Sequence, residues 1–223
     1  MPQLIAMIIV VVGAMIYMFQ TFGGTGDKIE GIAQKTSIIT EINNIKNGIK
    51  LAARSEDIRS SVDNTDPANP KPVSADLKTL ANSSYFAEQI NVQLKENSAA
   101  NKNKYFAISF GGGKDATDAG MTISLVADQK GRIPGIYVDL TTGSLSSNAV
   151  FLEKQIITDL EAVAYIEAVA YIDAGATSAS ASASVINSSG TDIEKRTPAL
   201  RTAVDDGKFI IYFKDFGSNE VVQ

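Results

Sequence analysis

The chain holds 223 residues, 44 % hydrophobic and 20 % charged, with 20 Lys and Arg against 25 Asp and Glu and a formal charge of −5. It has no His, Cys or Trp, which removes zinc centres, iron–sulfur clusters, His-ligated haem, disulfides and every catalytic dyad or triad built on His or Cys. The acidic excess speaks against nucleic acid as a partner, because phosphate binding needs a basic face.

The first charged side chain is Asp27. From Leu4 to Phe19 the run LIAMIIVVVGAMIYMF holds nothing more polar than Tyr17 or Gly13. Taken as a helix from Met1 to Phe22 it would span roughly 33 Å, against a hydrocarbon core of about 30 Å. A cleaved secretory signal would carry a basic flank before the run and a small-x-small cleavage site after it. Neither is present, and the missing basic flank fits a leader removed upstream of Met1.

From Asp27 the pattern becomes that of an amphipathic helix. Ile29, Ile32, Ile39, Ile42, Ile45 and Ile49 recur at spacings of three and four, a stripe that should dock on a sheet. Asp27 and Glu30 have capping-box spacing, and the helix is expected to end near Ser60, before DNTDPANPKP. Between tip and shaft lie Gly23, Gly24 and Gly26. Each costs about 1 kcal/mol in a helix relative to Ala, so the segment reads either as a tether or as a joint that opens one long helix.

The body follows. Ala75–Leu80, Phe86–Lys95 and Asn148–Ile157 read as helical, the last running on towards Leu160. Lys104–Phe110, Met121–Ala127, Gly135–Leu140 and Lys208–Phe213 read as strands between turn-rich segments. EAVAYI occurs twice in tandem, at 161–166 and 167–172. A period of six keeps each residue on one face of a strand, so the copies either extend one strand or record a duplication without meaning of its own. Thr177–Ser184 (TSASASAS) is low in complexity, and its hydroxyls could carry glycans. Asn82-Ser-Ser and Asn187-Ser-Ser match the N-glycosylation acceptor pattern.

Chemical motifs are absent. Gly111-Gly-Gly-Lys114 lacks both the upstream Gly and the following Ser or Thr of a phosphate loop. Asp63, Asp66 and Asp76, or Asp115 and Asp118, do not follow EF-hand spacing. The chain is expected to hold no catalytic, cofactor or metal site and not to be an enzyme. The expected fold is α+β: a long N-terminal helix, apolar then amphipathic, packed on a mainly antiparallel sheet with a loop-rich surface. Its parts are 1–26 (apolar helix and glycine joint), 27–60 (amphipathic helix) and 61–223 (body), with 27–223 forming one folding unit.

The run MPQLIAMIIVVVGAMIYMFQ followed by DKIEGIAQKTSIITEINNIKNGIKLAA resembles a processed type IV pilin. The resemblance covers residues 1–60. It implies that the apolar half-helices pack into a filament core through Leu4, Ile5, Ile8, Ile9, Val12, Met15, Ile16 and Phe19, while the sheet wraps the amphipathic half. The family usually carries Glu at its fifth mature residue, and this chain has Ile5. The partners so implied are copies of the chain itself and, before assembly, the inner membrane of a prokaryote. The alternative is a single-pass anchored extracytoplasmic domain that does not polymerise.

Overall fold

The computed structural model describes residues 31–127, 130–168, 207–217 and 219–223. Helix α1 covers 31–54 and carries the Ile stripe. Ile38, Ile42, Ile45, Ile49, Ala52 and Ala53 are fully buried along it. Ile39 is half-buried, and Ile32 is 62 % exposed. The buried stripe therefore begins at Ile38, which the spacing argument passed over, and Ile32 does not belong to it. Ile29 and the Asp27 cap lie outside the described residues.

The helix stops at 54 rather than near Ser60. The Glu56 amide donates to the Ala53 carbonyl (3.0 Å) and the Asp57 amide to Ala52 (2.9 Å), with Glu56 in the left-handed region at φ 57°. These are the paired bonds of a Schellman cap, built here without the usual glycine. Beyond it, Ile58 is buried, and antiparallel bridges Arg59–Ser74 and Asp63–Lys71 fold the 57–74 segment back on itself.

Two short helices follow, α2 (Leu77–Asn82) and α3 (Glu88–Glu96). Asp76 caps α2 by accepting from the Thr79 amide and hydroxyl, both at 2.9 Å. The fourth helix, α4 (Ala149–Leu160), follows a 3₁₀ segment, Gly143–Asn148. Lys35 pairs with Asp159 at 2.6 Å, so α4 lies beside the start of α1.

The strands are β1 (Tyr105–Phe106), β2 (Thr122–Val126), β3 (Gly135–Asp139), β4 (Ala164–Ala168) and β5 (Lys208–Phe213). They form one antiparallel sheet in the order β1-β2-β3-β5-β4. The register places Ile123 opposite Val138, Leu125 opposite Ile136, and Ile136 and Val138 opposite Ile211 and Phe209. All of these are buried, whereas Thr122, Ser124, Tyr137 and Asp139 on the other face are only half-buried. Lys46 Nζ stands 4.3 Å from the centre of the Phe213 ring, which places α1 over the Phe209–Ile211–Phe213 face.

The strand expected over Lys104–Phe110 is only two residues long and gives way to a 3₁₀ turn, Ile108–Phe110. Gly112 explains the break. Its amide returns to the Ala107 carbonyl, and a Cβ there would lie 2.0 Å from the Phe106 carbonyl oxygen. The chain doubles back too tightly for the ladder to continue. The architecture of the described residues is thus α+β.

Candidate functional site

The two faces of α1 differ in kind. Towards the body, each charged side chain of the described helix has a partner. Glu41, almost fully buried, accepts from the Tyr105 hydroxyl and from the Ser109 amide, each at 2.9 Å. Burial, and then the adjacent Glu41 carboxylate, push the Tyr105 hydroxyl well above the usual tyrosine range. Lys46 and Lys50 converge on Asp215 at 2.8 and 3.1 Å, and Lys50 also donates to its backbone carbonyl at 2.6 Å. Arg54 pairs with Glu220, whose second oxygen accepts from the Gly217 amide at 2.8 Å.

Burial opposes ionisation of Asp215 and Glu220 but is outweighed. Donors from Lys46 and Lys50 hold Asp215 below the usual carboxylate range. The Gly217 amide and Arg54, with the field of Lys50, do the same for Glu220. These contacts fasten the shaft to the end of the chain.

Towards solvent the helix presents a different stripe: Ala33, Thr36, Thr40, Asn44, Asn47 and Leu51, with Ile32 at its border. Every one of these is exposed and none is charged. Leu51 is 51 % exposed, so both ends of the stripe are apolar. The Thr36 and Thr40 hydroxyls donate to the Ile32 and Thr36 carbonyls at 2.9 Å, so they need no outside acceptor. From Ala33 to Leu51 the stripe runs about 27 Å at 1.5 Å per residue. Charge is normally what an exposed helix face carries. Here Lys35, Glu41, Lys46 and Lys50 turn sideways and inwards. Arg54, 64 % exposed and in line with the stripe beyond Leu51, closes it with a charge paired to Glu220. From Ala33 to Leu51 the surface sheds water cheaply and admits close backbone approach.

Hydrophobic period marks the inner face of α1 but not this outer one. A signal was present: at 100° per residue Lys35, Glu41, Lys46 and Lys50 flank the Ile stripe rather than oppose it. The positions read as a polymerisation core, Leu4 to Phe19, and the joint Gly23, Gly24 and Gly26 lie outside the described residues, as does the Thr177–Ser184 run. Asn82 is exposed at the end of α2.

Among the described residues no cluster of three or more acidic side chains could hold a metal ion, and no helix is long and apolar enough to cross a membrane. A pocket of about 220 Å³ is lined by Glu56, Arg59, Asp63, Lys71 and Lys130. Its one buried cation, Arg59, is engaged by Asp57 at 2.9 Å. Asp115 accepts from the Ser98 amide and hydroxyl and from Asn101, which fastens one loop to another.

The chain matches no family model, no curated protein and no solved structure.

Proposed function

We propose that this chain is the structural subunit of an extracellular, pilus-like filament on a prokaryotic cell surface, anchored in the inner membrane before assembly and polymerising through its apolar N-terminal segment. The observation that carries the reading is the uncharged outer stripe of α1. It stands at the start of the described chain, separated by Asp27–Ile32 (charged at Asp27, Lys28 and Glu30) from 26 residues that contain no charge. Burying charged surface between subunits costs several kcal/mol per unpaired ion, and this stripe has none to bury. In the filament the apolar segment and α1 form one long helical element, interrupted at Gly23, Gly24 and Gly26, with the sheet body outermost. The chain acts as a building block rather than an enzyme.

Electron microscopy of detergent-free preparations tests this: wild-type protein forms long threads, and dispersed single particles would favour the anchored, non-polymerising alternative. Ile9→Lys supplies the control. No acidic residue precedes Asp27 to pair with the new charge, which costs about 2.5–3.5 kcal/mol in an apolar surround. Thread formation should be lost. Threads at wild-type yield from this variant would remove the apolar-core reading.

A further inference from the structure

Strand β4 contains the junction of the tandem repeat. Residues 161–168 read EAVAYIEA and residues 167–174 read EAVAYIDA, differing only at Glu167 against Asp173. The strand itself is AYIEA, and six residues later the chain offers AYIDA. From this juxtaposition we propose that the edge of the sheet has two interchangeable registers, in which Ala170–Ala174 can replace Ala164–Ala168 against β5.

The pairing tolerates such a slip. In the described register Ala164 lies opposite Phe213, Ile166 opposite Ile211 and Ala168 opposite Phe209. Ala164 is buried and Ile166 packs against the core, so this face of the strand is specified. A one-residue slip would turn these side chains outwards, but a slip of six, an even number, returns each to its own face. Ala170, Ile172 and Ala174 then meet Phe213, Ile211 and Phe209. The single difference, Glu167 against Asp173, falls at the register position opposite Ile210. The ladder before the strand is equally indifferent. The Lys214 amide donates to the Val163 carbonyl at 2.9 Å and Lys214 Nζ to the Glu161 carbonyl at 2.9 Å. Val169 and Glu167 would present the same carbonyls.

β4 is also the strand placed to slip. Among the described residues it lies at the edge of the sheet and pairs only with β5. Its far connection, 169–207, is long enough to give up six residues. The turn between α4 and β4 would take them up, which amounts to about 20 Å of extended chain exchanged between two ends of the sheet. The slip is thus a device for moving six residues from one side of the strand to the other while leaving the core unchanged.

Two experiments on the full-length chain test this, and both use the fact that it contains no Cys. Glu167→Cys with Ile210→Cys reports the described register, and Asp173→Cys with Ile210→Cys reports the slipped one. Under mild oxidation the second pair should close within one chain at no less than a tenth of the rate of the first. A slower second pair, or cross-linking only between chains, overturns the proposal.

The other experiment does not depend on position 210. Ile166→Asp places a charge on the core face of β4. In the full chain it should lower the melting temperature by less than about 2 °C, because Ile172 moves into the vacated place. In a chain lacking residues 167–172, which has one copy and one register, the same substitution should lower it by about 6–12 °C. Equal losses in the two backgrounds would show that the second copy cannot serve as the strand.

Discussion

Glu41 on the shaft helix accepts a 2.9 Å hydrogen bond from Tyr105 on the edge strand β1, and both residues are buried. The carboxylate's other oxygen accepts from the Ser109 amide, so one side chain holds the helix to a strand and to the turn that follows it. A hydrogen bond to a buried carboxylate contributes about 1.5–3 kcal/mol, and removing its donor leaves an under-solvated charge. Tyr105→Phe should therefore destabilise the body by about that amount. Glu41→Gln, which keeps an acceptor for the Ser109 amide, should cost less than Glu41→Ala. Denaturant unfolding of the three variants checks the order.

Gly48 on α1 faces Phe86 and Tyr85. A Cβ at Gly48 would lie 2.2 Å from the Phe86 ring and 2.9 Å from the Tyr85 carbonyl oxygen. Ala would gain about 1 kcal/mol in helix propensity, but overpacking against backbone costs about 1–3 kcal/mol. Gly48→Ala should lower the thermal midpoint although the site is helical. Its crystal or solution structure should show the 85–86 segment displaced from α1.

Glu56 is the opposite case. It occupies the left-handed position of the helix cap at φ 57°, where an L residue is strained and Gly is not. Glu56→Gly should stabilise the fold by about 0.5–1 kcal/mol, read as a rise in the denaturation midpoint with an unchanged slope.

These two glycine positions show where sequence reading succeeds and where it stops. The Ile42–Ile45–Ile49 stripe, β2, β3 and β5 follow from hydrophobic period, because their burial is regular along the chain. The early end of α1 was not legible, since a Glu in the glycine position of a Schellman cap leaves no signature in composition. The truncation of β1 depends on Gly112 folding back onto Phe106, a contact made in space. The outer stripe was half legible. Its lack of charge is written in the sequence, but its exposure is settled only by which partners Lys35, Glu41, Lys46 and Lys50 find.

The junction of Lys46, Lys50 and Arg54 with Asp215 and Glu220 makes stability depend on pH. A carboxyl whose pKa is lower in the folded state binds fewer protons there than in the unfolded chain. Its contribution is complete above the unfolded values, about 3.9 for Asp and 4.3 for Glu, and is lost as pH falls through the lowered folded ones. Both Asp215 and Glu220 are lowered. Melting temperature should therefore hold between pH 7 and about pH 5 and fall below pH 4, and Asp215→Asn with Glu220→Gln should make that acid limb shallower. The rest comes from Asp57, Asp63 and Asp115, whose carboxyls are also held below the usual range. An acid limb of wild-type steepness in the double variant would place the dependence elsewhere.

The central claim is that the uncharged face of α1 is buried between subunits, and charging that face tests it most directly. Thr40 and Asn47 are exposed and lie on the stripe, and the Thr40 hydroxyl donates locally to the Thr36 carbonyl. Thr40→Lys with Asn47→Lys should leave the thermal midpoint within about 2 °C of wild type, as exposed helix substitutions do. The measurement is the yield of threads by electron microscopy from protein whose folding has been verified in this way. The account predicts a folded subunit that forms none. Threads from the doubly charged variant at wild-type yield would contradict it.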